Sequence, residues 1–347
     1  MVKNNKSPVF KPVTIPLQRL CNGDMSRELK LELLHHEKDD KFDEIGTAEV
    51  GVTATMLTTS GHQIVLKHPR GERRSVGFIT VTNALMKRDF TFQQYVDGGL
   101  QASLIVAIDF TGSNGDPKTA GTLHYVSNNP TAYERAFTAT ADVLAPYDHD
   151  GKIEMYGFGA QPRAGAGVSH CFALNGNESA PTVDREKMVA SYKEAVLKCN
   201  FSGPTNCAPI INKAASSAKN AGARVGGPLV YDMLLLLTDG EIDDMDDTMA
   251  AISAASSAPL SIVVCGIGSC DFAKARSLNN VTTASRSIVQ FLRMDDFGAG
   301  AANRLASKAR KRWCPHTCPN ARPQMLETLP HQVEEYFAKA GIAPGKK

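Results

Sequence analysis

Two unbroken apolar runs, each ending in an aspartate, constrain this 347-residue chain more than any other feature. Leu104-Ile105-Val106-Ala107-Ile108 leads into Asp109, and Met233-Leu234-Leu235-Leu236-Leu237-Thr238 leads into Asp239. A strand with one wet face alternates polar and apolar residues. A run apolar at every position fits a strand covered on both faces, as in a parallel sheet between helical layers. After the first run, Asp109-Phe110-Thr111-Gly112-Ser113 spaces a carboxylate and two hydroxyls two residues apart. Successive residues of an extended segment alternate faces, so these three groups can converge on one point. Hard oxygen donors at the carboxyl end of a strand suit a divalent cation, and open α/β sheets bind ligands at that edge. Gly203-Pro204-Thr205-Asn206 adds a polar turn with a third hydroxyl, and Asp239-Gly240 supplies a second carboxylate at a turn.

From about residue 100 the pattern predicts a doubly wound α/β fold. Strands are expected at 102–109, 152–158, 168–173, 231–238, 260–267 and 287–292. Helices are expected at 131–146, 184–198, 206–221, 244–257, 271–277, 295–311 and 325–340. Residues 1–90 read differently. Val13–Leu17, Leu29–Leu34, Thr47–Val52, Gln63–Lys67 and Gly77–Val81 are short segments bounded by turn residues, the pattern of five strands from part of a β-sandwich. Two domains are therefore expected, a β segment over 1–90 and an α/β domain over 91–345.

Composition narrows the function. With 38 basic and 36 acidic residues the net charge is 38 − 36 = +2, which gives no field for nucleic acid, and no nucleic-acid partner is expected. Eight scattered cysteines read as reduced thiols, not a disulfide framework. No apolar leader follows Met1, Val2 is not a myristoylation site and the terminal Gly345-Lys346-Lys347 is not a prenylation signal, so membrane contact is expected to be peripheral. Gly157-x-Gly159 and Gly266-x-Gly268 lack the third glycine of a dinucleotide fingerprint.

Asp109-x-Thr111-x-Ser113 with Thr205 and Asp239 resembles the metal-ion-dependent adhesion site (MIDAS) of von Willebrand A domains. The wording is closer still to the copines. Asp109-Phe-Thr-Gly-Ser-Asn-Gly, Leu123-His-Tyr, Gly157-Phe-Gly-Ala, Phe172-Ala-Leu-Asn-Gly-Asn, Gly203-Pro-Thr-Asn-Cys-Ala-Pro and Thr238-Asp-Gly follow in copine order, over roughly residues 90–345. The resemblance implies a von Willebrand A-like sheet whose Asp109, Thr111, Ser113, Thr205 and Asp239 hold Mg2+ or Mn2+. Ser113 and Thr205 would bind the ion directly and the aspartates partly through water. With few carboxylates on it, the ion keeps charge and an open position for an acidic side chain of a cytosolic partner protein. Thr111 in place of the commoner serine keeps the hydroxyl. The acidic group Glu241, Asp243, Asp244, Asp246 and Asp247 reads as a solvated helix start, favoured by the helix dipole.

Ser7–Pro12, Leu29–Leu33 and Asp43–Gly46 resemble the later half of a C2 domain, as found before the copine A domain. The family thus implies calcium-dependent phospholipid binding and recruitment to the plasma membrane from the cytoplasm. Glu37, Asp39 and Asp43 are the residues that could offer oxygens to Ca2+ in the calcium loop, but His35 stands where a leading aspartate is expected and imidazole is a poor calcium ligand. Lys67, Arg70, Arg73 and Arg74 form a basic stretch for an anionic phospholipid membrane. Cys314-Pro-His316-Thr-Cys318 looks like half of a zinc knuckle, but no second pair is nearby, and it reads as an inserted loop after the basic helix end Lys308–Arg312. No nucleophile elbow, P-loop, His-Glu-x-x-His or kinase signature is present, so no enzyme is expected. The alternative is a divalent-metal-dependent hydrolase of unknown substrate.

Overall fold

The computed structural model describes residues 7–36, 41–52, 61–71, 75–222, 227–283, 285–294 and 328–345. The chain divides into two compact units, Met1–Arg88 and Asp89–Lys347.

In the first unit, a short helix α1 (Leu17–Cys21) precedes β1 (Glu28–His36), β2 (Phe42–Gly51), β3 (His62–Lys67) and β4 (Ser75–Val81). These strands form one antiparallel sheet in the order β1-β2-β3-β4. Leu31, Leu33, Ala48, Val50, Ile64, Leu66, Ile79 and Val81 gather on one face, as strict alternation requires. The strand expected at Val13–Leu17 is not formed. Pro12 and Pro16 remove backbone donors there, and Pro16 instead precedes the first turn of α1. Four strands of a single sheet replace the five expected from a sandwich, among the described residues.

The second unit opens with α2 (Phe92–Asp97), which the hydrophobic pattern did not suggest. Its signal is the capping box Thr91-Phe-Gln-Gln94, in which the Thr91 hydroxyl accepts from the Gln94 amide and the Gln94 side chain accepts from the Thr91 amide. The elements that follow are β5 (Gln101–Asp109), α3 (Ala132–Leu144), β6 (Lys152–Phe158), β7 (Ala160–Gln161), β8 (Phe172–Ala173), β9 (Thr182–Asp184), α4 (Met188–Lys198), β10 (Asn200–Phe201), α5 (Ala208–Gly222), β11 (Val230–Thr238), α6 (Met245–Ala255), β12 (Leu260–Gly266), α7 (Ala273–Ser277), β13 (Val289–Arg293) and α8 (Leu329–Ala340).

The main sheet runs β13-β12-β11-β5-β6-β8, with β9 also on β6. Strands β13, β12, β11, β5 and β6 are parallel, and β8 and β9 are antiparallel to β6. Leu104, Val106 and Ile108 pack with residues of α3, α4 and α8, while Ile105 and Ala107 pack with α5, α6 and α7. Both faces of β5 are thus covered, which is why its sequence does not alternate. The segment expected as a strand over 168–173 forms ladder only at Phe172–Ala173. The helix expected from 184 starts at Met188, because Thr182–Asp184 joins the sheet and Arg185–Lys187 is a 3-10 turn. The helix expected over 295–311 lies outside the described residues. The six described cysteines (21, 171, 199, 207, 265 and 270) form no disulfide.

Strand order reverses at β5. The chain proceeds outward to β6 on one side and returns to β11 on the other. The gap between the carboxyl ends of β5 and β11 is the topological switch point, where an open parallel sheet leaves room for a ligand. Asp109 and Asp239 stand at that gap.

Candidate metal centre

The first loop is built around Asp109. The Thr111 backbone amide and hydroxyl both donate to Asp109 Oδ1, at 2.9 and 2.7 Å. A turn of 3-10 helix over Gly112–Asn114 then brings the Ser113 hydroxyl to 2.9 Å from that of Thr111. The spacing expected to gather three oxygens therefore does so. Asp109 and Thr111 are buried while Ser113 is exposed, so the cluster opens to solvent on the serine side. Beneath it, Asn114 donates to the Thr111 carbonyl and hydroxyl, both at 3.3 Å, and accepts from the Tyr133 hydroxyl at 2.6 Å.

Three loops are fastened to one another pairwise. The Gly112 amide donates to the Ser202 carbonyl at 2.6 Å, and Thr111 and Ser202 form a parallel bridge, which ties the first loop to the Thr205 turn. The Thr238 hydroxyl at the end of β11 donates to Asp109 Oδ2 at 2.8 Å, which ties the first loop to the Asp239 loop. The Thr205 amide donates to Asp243 Oδ2 at 2.7 Å and the Asp243 amide donates to the Thr205 carbonyl at 2.9 Å, which closes the triangle. Gly159 completes the floor. Its φ of +77° and the 2.3 Å from a Cβ built there to Thr111 Cγ2 leave room for no side chain.

The two carboxylates of the site are buried close enough to repel each other. Burial and the neighbouring Asp239 carboxylate push the Asp109 pKa up to about 6, against the hydrogen bonds from Thr111 and Thr238 that pull it down. Burial likewise raises Asp239, although the Ser113 hydroxyl and the Glu241 amide favour its charged form. Asp239 Oδ1 is buried with no hydrogen-bond partner. Among the described residues no lysine or arginine pairs with either aspartate. Two buried carboxylates beside the hydroxyls of Thr111, Ser113 and Thr238, with one oxygen unbonded, fit a hard divalent ion. Among the described residues no group of three or more His, Cys, Asp and Glu side chains gathers into a metal cluster.

His124 escaped the sequence reading as a site residue. It is fully buried, stacked 4.1 Å from Tyr133 and 5.2 Å from Phe110. Its Nε2 lies 2.8 Å from the Asp109 carbonyl and its Nδ1 2.7 Å from the Tyr192 hydroxyl. Burial pushes its pKa down to about 3, so it is neutral and adds no cation to the site. Thr238 and Asn114 were likewise missed, though both stand inside the motifs that marked the loops. The acidic group is more than a solvated helix start. Asp246 and Asp247 are exposed in the first turn of α6, but Asp243 and Asp244 are bonded to the Thr205 turn. A carboxylate cannot be assigned to a distant backbone amide from sequence spacing alone.

Other candidates lie elsewhere. Asp43 stands in β2 opposite His35 of β1, and Glu37 and Asp39 fall outside the described residues. Lys67 ends β3 and Arg70 is exposed in the turn after it, whereas Arg73 and Arg74 fall outside. So do Cys314, His316 and Cys318.

Residues 122–345 match the family model described as Copine. Copine-B of Dictyostelium discoideum is 36% identical over 318 residues, which are 86% of this chain and 58% of that protein. The chain thus spans 58% of the length of that relative. Among solved structures, the manganese-loaded Plasmodium vivax TRAP protein is 11% identical, with a TM-score of 0.37 over 60% of this chain and 72% of that one. The SpRpn10 VWA domain is 10% identical, with a TM-score of 0.35 over 63% of this chain and 100% of that one. Superpositions this loose leave the fold to the strand order above.

Proposed function

The chain belongs to the copine family, and from that premise we propose that its α/β unit is an adaptor module that grips partner proteins through a divalent cation. Mg2+ or Mn2+ is the ion proposed. Asp109, Thr111, Ser113, Thr205 and Asp239 would hold it. One observation carries the reading. Asp109 and Asp239 lie buried at the switch point beside the hydroxyls of Thr111, Ser113 and Thr238, with no basic partner among the described residues and one carboxylate oxygen unbonded. Bound there, the ion would neutralise the pair. Exposed Ser113 marks the side from which an acidic side chain of a partner would complete its shell.

An array of peptides containing aspartate or glutamate, probed with the full chain in magnesium and then in chelator, tests this. Capture that needs both magnesium and Asp109 supports the module. Capture that ignores the chelator, or turnover of a substrate that disappears in Asp109→Ala, overturns it, the second outcome in favour of a metal-dependent hydrolase.

For the first unit the reading is peripheral attachment to anionic phospholipid at the cytoplasmic face of the plasma membrane, promoted by calcium. Its support is the C2-like sequence, the Asp43 carboxylate and the basic residues Lys67 and Arg70. Sedimentation with phosphatidylserine vesicles, with and without calcium, decides it. Pelleting that depends on calcium supports the reading, and a chain that stays in the supernatant under both conditions contradicts it.

A further inference from the structure

Resting on the metal reading above, we infer that Asp243 and Asp244 are positioning residues of the centre: they lock the turn that carries Thr205 to the loop that carries Asp239. Neither carboxylate belongs to the five residues assigned to the ion. Asp243 exchanges two hydrogen bonds with Thr205, one through its side chain and one through its backbone, at 2.7 and 2.9 Å. Asp244 reaches two residues further. Its Oδ1 accepts from the Cys207 amide and its Oδ2 from the Ala208 amide, both at 2.9 Å, while Thr248 donates to Oδ1 at 2.9 Å and so steadies it from α6.

The chemistry of that arrangement is specific. The first amides of α5 have no partner within their own helix, and a carboxylate from another loop satisfies them and complements the helix dipole. The Thr205 turn is therefore held at both ends by acids from one segment, Asp239-Gly240-Glu241-Ile242-Asp243-Asp244. Two of the ion's donors, Thr205 and Asp239, are fixed relative to each other before any ion arrives. Preordering of donors is what outer-shell hydrogen bonds contribute to a metal site, and their loss commonly weakens binding about 10- to 100-fold.

The test is Mn2+ affinity of the full chain, read by paramagnetic resonance of the free ion, with circular dichroism as the check on folding. Asp243→Ala is expected to weaken binding about tenfold or more, and Asp243→Asn, which keeps an acceptor for the Thr205 amide, should remain within about threefold of the parent. If Asp243 acts through Thr205, the double variant Asp243→Ala with Thr205→Ala binds no more weakly than Thr205→Ala alone. A purely structural role would leave the two losses independent. Should Asp243→Ala not fold, Asp244→Asn takes its place with the same expected direction. A parent that binds while Asp243→Ala, or Asp244→Asn in its place, binds equally overturns the lock alone, as do losses that multiply in the double variant. A parent that takes up no manganese overturns the metal reading, and the lock with it.

Discussion

At the amino ends of β11 and β12 a buried arginine is enclosed by acceptors, whereas at the carboxyl ends of β5 and β11 two buried aspartates face each other with no basic side chain paired to them among the described residues. Arg286 donates to the Tyr231 hydroxyl and to the carbonyls of Gln332, Ala258 and Leu260. Its guanidinium carbon lies 5.6 Å from the Tyr231 ring centre and 5.2 Å from that of Tyr336. Only its Nε has no acceptor. The Ser261 hydroxyl donates to Gln332 Oε1 at 2.5 Å, so the arginine and its neighbours fasten α8 to the sheet. The opposite edge is as deeply buried, yet its negative charges repel and its serine faces solvent. Each end leaves one buried polar atom without a partner. The difference is charge: the guanidinium is met by oxygen acceptors and aromatic rings, whereas the two carboxylates face each other with no basic partner among the described residues.

The largest effect expected is at the closed end. Arg286→Met strips the carbonyls of Ala258 and Leu260 and the Tyr231 hydroxyl of a donor, so it should cost about 3–5 kcal/mol of stability in urea melts. Manganese affinity of the folded fraction should not change. If it falls instead, the two ends are not independent and the contrast fails.

Asp109→Asn should act in the opposite sense. Its one oxygen still accepts from Thr111, its amide N–H can donate to the Thr238 hydroxyl with that bond reversed, and one of two repelling charges is removed. The metal-free variant is expected to be more stable than the parent at pH 7 by about 1–3 kcal/mol, with manganese affinity reduced about 100-fold. Calorimetric melts with and without the ion measure both. Destabilisation without the ion would make Asp109 a structural cap.

The pH dependence follows from the same carboxyl group, whose pKa of about 6 lies above its ordinary 3.8. Between about pH 4 and 6 the folded chain keeps a proton that the unfolded chain has released. The metal-free protein therefore loses stability as pH rises through that window and levels off above it. Manganese needs the anion, so its affinity should climb about tenfold per pH unit up to about 6 and then flatten. A titration series from pH 4.5 to 7.5 shows whether it does.

Thr111→Ser is the mildest change. The hydroxyl that bridges Asp109 and Ser113 remains, and the lost methyl group lies against Gly159. A loss below about 1 kcal/mol in stability is expected, with metal affinity within about twofold. A larger drop in affinity would mean that the methyl contact orients the hydroxyl.

Much of the sheet was legible because its strands are apolar without alternation, and so was the convergence of Asp109, Thr111 and Ser113, which local spacing dictates. The amino-terminal β segment was harder to read. Val13-Thr-Ile-Pro-Leu looks like a strand by composition, but Pro12 before it and Pro16 within it remove ladder donors, and Thr91–Gln94 announces a helix only through its caps. The supports of the site were hidden for a different reason. His124 beneath Asp109, Thr238 on its second oxygen and Asp243 on the Thr205 turn all act across tens of residues, and no local spacing encodes a contact that the strand order creates.

The most direct measurement is the number of manganese ions bound per chain at equilibrium dialysis, in the parent and in Asp109→Asn. At an ion concentration that just saturates the parent, one ion per parent chain and almost none per variant chain is the result expected of paired buried carboxylates that hold a cation. Equal binding by both, or none by the parent at millimolar ion, would contradict it.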